Sequence, residues 1–299
     1  MDYFDEPTAR ISLINELNDP FECNLSHTIY DLIKRSTDAI NGLRPNSIKR
    51  TVTESEVMIF IFNALRGIGV ISFSETHRNL LMWAHYAGNH SGICIEVESD
   101  WSESKERLRD TQSNSLHRFK RVQYDTRRVD FNDFTTINTT NFHETLIDIL
   151  TKQLTLKSDE WMYEKEHRYI LSFLEADYVK QIKDHDIPDI NRARIDKLIK
   201  QENIKLLKNG YLTTDCMEME FFYECFTTNA FMYLTKIPAS KIKRIYLGHR
   251  FNQDNMKKLV EKIKSTTHPL HNTELHQCRI SNSRFEIETQ KIYGPAEKP

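Results

Sequence analysis

Glu164 and Glu166, in the stretch WMYEKEHRYIL, stand two residues apart, and Arg168 follows two residues later. On a strand, alternate residues share a face, so a strand begun by Glu164 would set two carboxylates and a guanidinium in one row. Carboxylates held together raise one another's pKa and can do acid–base work or stabilise a developing cation. A solvated ladder of ion pairs would use the same residues.

Three more clusters carry reactive side chains. In VISFSE the strand period puts Ser72 and Ser74 on the face opposite Ile71 and Phe73, where paired hydroxyls can hold a ribose or an amide. In LLMWAHYAGNHSG, Trp83 falls with Leu80, Ala84 and Ala87 on an apolar helix face, while His85 and Tyr86 border it. His85 and His90 are separated by about 140° of helical rotation, with the helix ending between them, so no metal pair is expected there. In NDPFE, Asn18 and Asp19 are either fixed polar groups beside a ligand or part of a turn, with Asp19 accepting backbone N–H bonds and Phe21 anchoring the loop.

The elements that must position these groups follow from periodicity. ARISLINELNDPFECN reads as a short strand entering a turn, and ESEVMIFIFNALRGIG as a buried helix closed by glycine. VISFSE is a strand, Ser74 or Thr76 caps the helix after it, and ICIEVE alternates as a half-buried strand. FKRVQYD is a further strand, and NFHETLIDILTKQLTLK an amphipathic helix with Leu146, Ile149, Leu150 and Leu154 inward. Residues 175–210 read as a charged helical insertion within one domain spanning 1–299. MEMEFFYECF, NAFMYLT and IKRIYLG read as strands, QDNMKKLVEKIK as a helix, and the tail as a hairpin turning at SNS. Strands and helices mix without strict alternation, which predicts an α+β fold with a mixed or antiparallel split sheet and flanking helices.

The 299 residues carry 41 basic and 43 acidic side chains, a net charge of −2 with no loud nucleic-acid signature. The lysines of SKIKRIYLGHR and MKKLVEKIK fit a solvated face. Five scattered cysteines without CxxC spacing read as reduced thiols. With no run of about eighteen apolar residues and an acidic N-terminus, a cytoplasmic location without membrane contact is expected.

The order NDPFE, then SFS with LLMWAHYAGNHSGICIEVE, then WMYEKEHRYIL, then IKRIYLG, resembles the bacterial family known as domain of unknown function 2971 along nearly the whole chain. Its relatives begin with a strand bearing a Tyr-type motif before NDP; here either Tyr3 and Phe4 stand in for it or it is missing. Ser72-Phe73-Ser74 and Glu164-Lys165-Glu166 also resemble, in order, the Ser-x-Ser and Glu-x-Glu elements of the ADP-ribosyltransferase fold. That second resemblance implies an effector using NAD, in a bacterial toxin or anti-phage setting. Glu166 would hold the ribose and stabilise an oxocarbenium-like charge, and Glu164 would orient or deprotonate the acceptor, a protein or nucleic acid. Ser72 and Ser74 would brace the ribose and His85, Tyr86 and Trp83 would wall the pocket, with Asn18, Asp19, His90 and Arg168 also toward the dinucleotide and no metal needed.

Two other readings stay open. One is a nuclease in which Asp19, Glu22, Glu164 and Glu166 converge on Mg²⁺. The other is a non-catalytic subunit of a defence complex, binding a protein encoded nearby through residues 175–210.

Overall fold

The computed structural model describes residues 2–22, 24, 31, 34–35, 37–38, 41–42, 51–59, 67–101, 119–130, 150–183, 185–214 and 219–295. Within them the chain order is β1 (Thr8–Leu13), β2 (Ile68–Ser74), α1 (Leu80–Tyr86), β3 (Ile93–Val97), β4 (Phe119–Arg121), β5 (Gln123–Asp125), β6 (Leu156–Ser158), β7 (Glu166–Ser172), β8 (Tyr178–Gln181), α2 (Asp189–Lys200), β9 (Lys205–Leu206), β10 (Tyr211–Thr213), α3 (Met219–Phe226), β11 (Phe231–Lys236), β12 (Ile242–Leu247), α4 (Gln253–Ile263), β13 (Glu274–Ile280) and β14 (Ile287–Tyr293). The expected mix of α and β holds.

Seven antiparallel pairings build an eight-stranded sheet in the order β4-β7-β2-β1-β11-β8-β10-β9. A second sheet, β14-β13-β12-β3, is mixed, because β12 and β13 run parallel. β5 and β6 form a separate parallel pair. One apolar cluster joins the two larger sheets: Ile11, Tyr169, Leu171 and Tyr233 share it with Ile245, Leu247, Leu259 and Leu275.

Local sequence accounts for most of the elements. β7 is buried along nearly its whole length, matching its central run Tyr169–Leu171. α4 turns Leu259 and Ile263 inward and leaves Lys257 and Lys258 outward, as period 3.6 requires. The strand ahead of NDP is present as β1, while Tyr3 and Phe4 lie in a short 3-10 turn before it.

Several expectations need correction. MEMEFFYECF is helical from Met219, since Phe221, Phe222 and Cys225 are buried one turn apart and Glu224 takes Arg194 at 2.6 Å; its Met-Glu alternation imitates a strand. Residues 175–210 contain α2 but also β8 and β9, and β8 is a sheet strand between β11 and β10, with Tyr178 and Val179 buried. α1 is capped by Asn79, whose side chain accepts from the Leu81 and Met82 N–H groups, and not by Ser74 or Thr76. FKRVQYD breaks at Val122 into β4 and β5. Leu150 and Leu154 are buried as expected, whereas Leu146, Ile149, Phe60 and Ile61 lie outside the described residues.

Candidate active site

The antiparallel register of β2 and β7 sets Ser74 opposite Glu166 and Ser72 opposite Arg168. Facing residues of such a pair project to the same side, so two hydroxyls, a carboxylate and a guanidinium occupy one patch of sheet. Glu164 joins them by a different route from the one its spacing implies. β7 begins only at Glu166; Glu164 ends a 3-10 turn over Asp159–Glu164, and Lys165 sits in the left-handed region at φ 47°. Ser74 Oγ donates to the Glu164 carbonyl at 2.7 Å and fixes that turn against β2.

Five charged side chains meet here, each at most 6% exposed: Glu22, Lys157, Glu164, Glu166 and Arg168. Arg168 donates from Nε to Glu166 Oε1 at 2.7 Å and from one Nη to Glu166 Oε2 at 3.0 Å. It also donates to Glu22 Oε1 and to the Leu154 carbonyl. Lys157 Nζ lies 2.7 Å from Glu164 Oε2 and 3.4 Å from Glu166 Oε2. Its ammonium also sits over the Trp161 ring, 4.7 Å from the centroid. The other oxygen of Glu164 accepts from Tyr86 OH, which in turn accepts from Asn18 Nδ2 at 3.2 Å.

Carboxylates outnumber cations three to two, and their environments push them apart. Burial works against the charge of Glu166, yet Arg168 and Lys157 outweigh it and hold its carboxyl below the ordinary value. Glu22 goes the other way, because burial raises it by more than Arg168 and Lys157 lower it. Burial also disfavours the Lys157 ammonium, but Glu166, Glu22 and Glu164 keep it charged. Tyr86 stays protonated, raised by burial and by its bond to Glu164.

Two adjoining chambers open beside these groups. The polar one, about 370 Å³, is lined by Arg10, Asn18, Glu22 and Lys157, with Glu164, Glu166 and Arg168. The other, about 550 Å³, lies against Trp83, Ile93, Ile95, His77 and Tyr246. Tyr246 OH donates to Glu96 at 2.8 Å, and His77 stacks on its ring at 4.0 Å and 7°. Ser72, Phe73, Ser74, Met82 and Tyr86 border both chambers, so the two lie side by side across a shared wall and are called the cleft together.

Residues 82–169 match the model of a family described as protein of unknown function, DUF2971. No curated protein and no solved structure matches the chain. The matched segment supplies Met82, Trp83, Tyr86, Lys157, Glu164, Glu166 and Arg168 to the cleft, whereas Glu22, Arg10 and Asn18 come from the chain before it.

Of the residues singled out by sequence, Ser72, Ser74, Tyr86, Asn18, Glu164, Glu166 and Arg168 converge on the polar chamber. Trp83 is buried, donates to the His77 carbonyl at 2.6 Å and backs the second chamber. His85 is a correction. It is exposed beside Tyr86 and Tyr163, because α1 turns Met82, Trp83 and Tyr86 to the cleft and leaves position 85 on its flank. His90 is another: after the turn that ends α1 it lies 4.8 Å from His249 in a different cavity. Asp19 is buried, accepts the Phe21 N–H at 2.9 Å as a turn residue, and lines a neighbouring cavity with Arg127 and Arg128. Phe21 is not buried as a loop anchor: its ring is exposed, with Arg128 over it.

That placement also removes the Mg²⁺ arrangement in which Asp19, Glu22, Glu164 and Glu166 converge. Asp19 sits in the other cavity, and the remaining carboxylates already hold Lys157 and Arg168 between them. Among the described residues no group of three or more His, Cys, Asp or Glu could hold a metal ion. Lys157 is the site residue that sequence reasoning missed. Its stretch LTLKSDEW carries no motif, and a lysine after an apolar run reads as solvated unless the carboxylates opposite it are known.

Among the described residues no helix is long and apolar enough to cross a membrane. Cys94, Cys225 and Cys278 are free thiols.

Proposed function

We propose that this cleft binds NAD and cleaves the bond between nicotinamide and ribose, as an ADP-ribosyltransferase-like effector acting on a protein or nucleic-acid acceptor. The observation that carries the reading is Glu166. It is a buried carboxylate kept ionised by Arg168 and Lys157, at the wall of a cavity that also offers hydroxyls and a tyrosine. A fixed negative charge of that kind stabilises the oxocarbenium-like ribose formed as nicotinamide departs, without reorganising at the moment of reaction. In this reading Ser72 and Ser74, on the β2 side of the chamber, brace a ribose hydroxyl. The chamber against Trp83, Tyr246 and Ile95 gives the remainder of a dinucleotide an apolar wall, and both chambers fall in the size range of small-molecule sites.

Glu164 has the second role. One oxygen is bonded to Tyr86 and the other to Lys157 in the wall of the polar chamber, and in this reading it orients or deprotonates the attacking group. Arg168 is a positioning residue, its N–H groups engaged by Glu22, Glu166 and Leu154. The bacterial toxin or anti-phage setting follows from the family resemblance alone.

The test is release of nicotinamide from NAD, followed chromatographically. Glu166→Gln keeps the shape and removes the charge, so it should abolish release with circular dichroism unchanged. Full release by a folded Glu166→Gln protein would remove the assignment.

A further inference from the structure

Glu22 is not explained by a charge-stabilising role. It is 2% exposed, one oxygen is held by Arg168, and the other, Oε2, is buried without a hydrogen-bond partner among the described residues. A buried carboxylate oxygen left bare is costly, whereas a carboxylic acid there needs only something to receive its proton. Glu22 lines the polar chamber with Glu166 and Glu164, and shares with Glu166 the same guanidinium. Two carboxyl groups in one cavity, one fully bonded as an anion and one half bonded, divide naturally into stabiliser and acid.

We propose that Glu22 is a general acid of this cleft, and that the cleft therefore also cleaves N-ribosides whose base must be protonated to leave, purine nucleotides foremost. The inference rests on the reading of Glu166 as the anion beside a ribose. The upward displacement of the Glu22 carboxyl by burial supports it without carrying it.

The chemistry differs between the two kinds of substrate. A pyridinium riboside such as nicotinamide mononucleotide needs no acid, because the electron pair of the breaking C–N bond neutralises a ring that is already positive. Adenosine monophosphate does need one. There the Glu22 side chain turns Oε2, which is buried in the unliganded protein, into the chamber; its proton passes to a purine ring nitrogen, the C–N bond breaks with its pair going to the base, and adenine leaves neutral. Water adds to the anomeric carbon, its proton passes to Glu164 and then to solvent, and solvent returns a proton to Glu22. The net reaction is hydrolysis, with no oxidant or reductant.

Nicotinamide mononucleotide and adenosine monophosphate share ribose and phosphate and differ in the leaving group, so they are the probes. Wild-type protein should cleave both. Glu22→Gln should lower cleavage of adenosine monophosphate by about 10²–10⁴ more than it lowers cleavage of nicotinamide mononucleotide, that ratio being the usual contribution of a general acid. With wild-type protein alone, cleavage of the purine nucleotide should fall as pH rises through the Glu22 titration, and cleavage of the pyridinium nucleotide should not. Equal loss on both probes, or no loss on either, overturns the role of Glu22. Wild-type cleavage of the pyridinium probe alone overturns this inference and leaves the NAD reading standing. Glu22-dependent purine release without any nicotinamide release would do the reverse, and no cleavage of either probe overturns both.

Discussion

Arg168 is the residue on which the site's charges depend. Replacing it with methionine leaves Glu22 and Glu166 buried without their shared partner, and breaking a buried pair from one side costs about 3–5 kcal/mol. Urea denaturation at neutral pH should show that loss, and should show it shrinking on acidification as the carboxylates become neutral. Glu22→Gln should cost less. The folded state holds Glu22 above its ordinary value of 4.5, so its ionisation is a liability that grows as pH rises past that value. A neutral glutamine removes the liability and keeps an oxygen for Arg168, so near neutral pH the variant should lose less stability than the Arg168 replacement does. Glu166 is held below its ordinary 4.5, so its contribution is present above that value and is lost as pH falls through the folded-state titration. Wild type should therefore retain an acid-side decline that Glu166→Gln lacks. At this scale the sequence displayed Glu164, Glu166 and Arg168 through their spacing. It could not display Lys157 or the orphaned oxygen of Glu22, because both depend on contacts across many residues of chain.

Among the elements, α1 controls the wall shared by the two chambers, and it is held at both ends by groups outside itself. At its start the Asn79 side chain accepts from Leu81 and Met82 and donates to the Tyr163 carbonyl. Asn79→Ala should cost about 1 kcal/mol, the usual loss of an N-cap, and should raise KM for NAD more than it lowers kcat, because Met82 and Tyr86 lose their register. At its end the turn from Gly88 to Gly92 is pinned to the segment after β12, through Gly248 N–H to Gly92 O at 2.9 Å and Arg250 N–H to His90 O at 3.0 Å. A Cβ at Gly248 would stand 2.0 Å from the His90 carbonyl oxygen, so Gly248→Ala should destabilise at the upper end of the about 1–3 kcal/mol typical of overpacking, read by thermal melting. Helix and strand types in this region were legible because periodicity is local. The cap was not, since Ser74 and Thr76 have equally suitable side chains and only the path of the chain brings Asn79 to position. α3 was misread for a related reason: Met-Glu-Met-Glu alternates like a strand, and Phe221, Phe222 and Cys225 must be buried together to reveal the helical period.

In the whole molecule the cleft lies where the two larger sheets meet, with β2 and β7 on one side and β3 and Tyr246 of β12 on the other. The order β4-β7-β2-β1 that creates this junction pairs strands far apart in sequence, and nothing in local pattern specifies it, although an α+β composition was evident. A ligand spanning both chambers would touch both sheets, and one that binds only the folded state stabilises it by mass action, about 2.7 kcal/mol at a hundredfold excess over Kd. Melting followed at rising NAD should therefore show a concentration-dependent increase in Tm. Ser72 provides the control, because it is exposed, borders both chambers and lies outside the apolar core. Ser72→Trp fills the junction from the open side and gives up the Ser72 hydrogen bond to Glu166, so the unliganded protein should lose no more than the about 0.5–1.5 kcal/mol of one such bond while the NAD-dependent rise disappears. If the rise survived in Ser72→Trp, the dinucleotide would have to bind elsewhere on the molecule, and the division of the cleft into ribose and apolar chambers would fail with it.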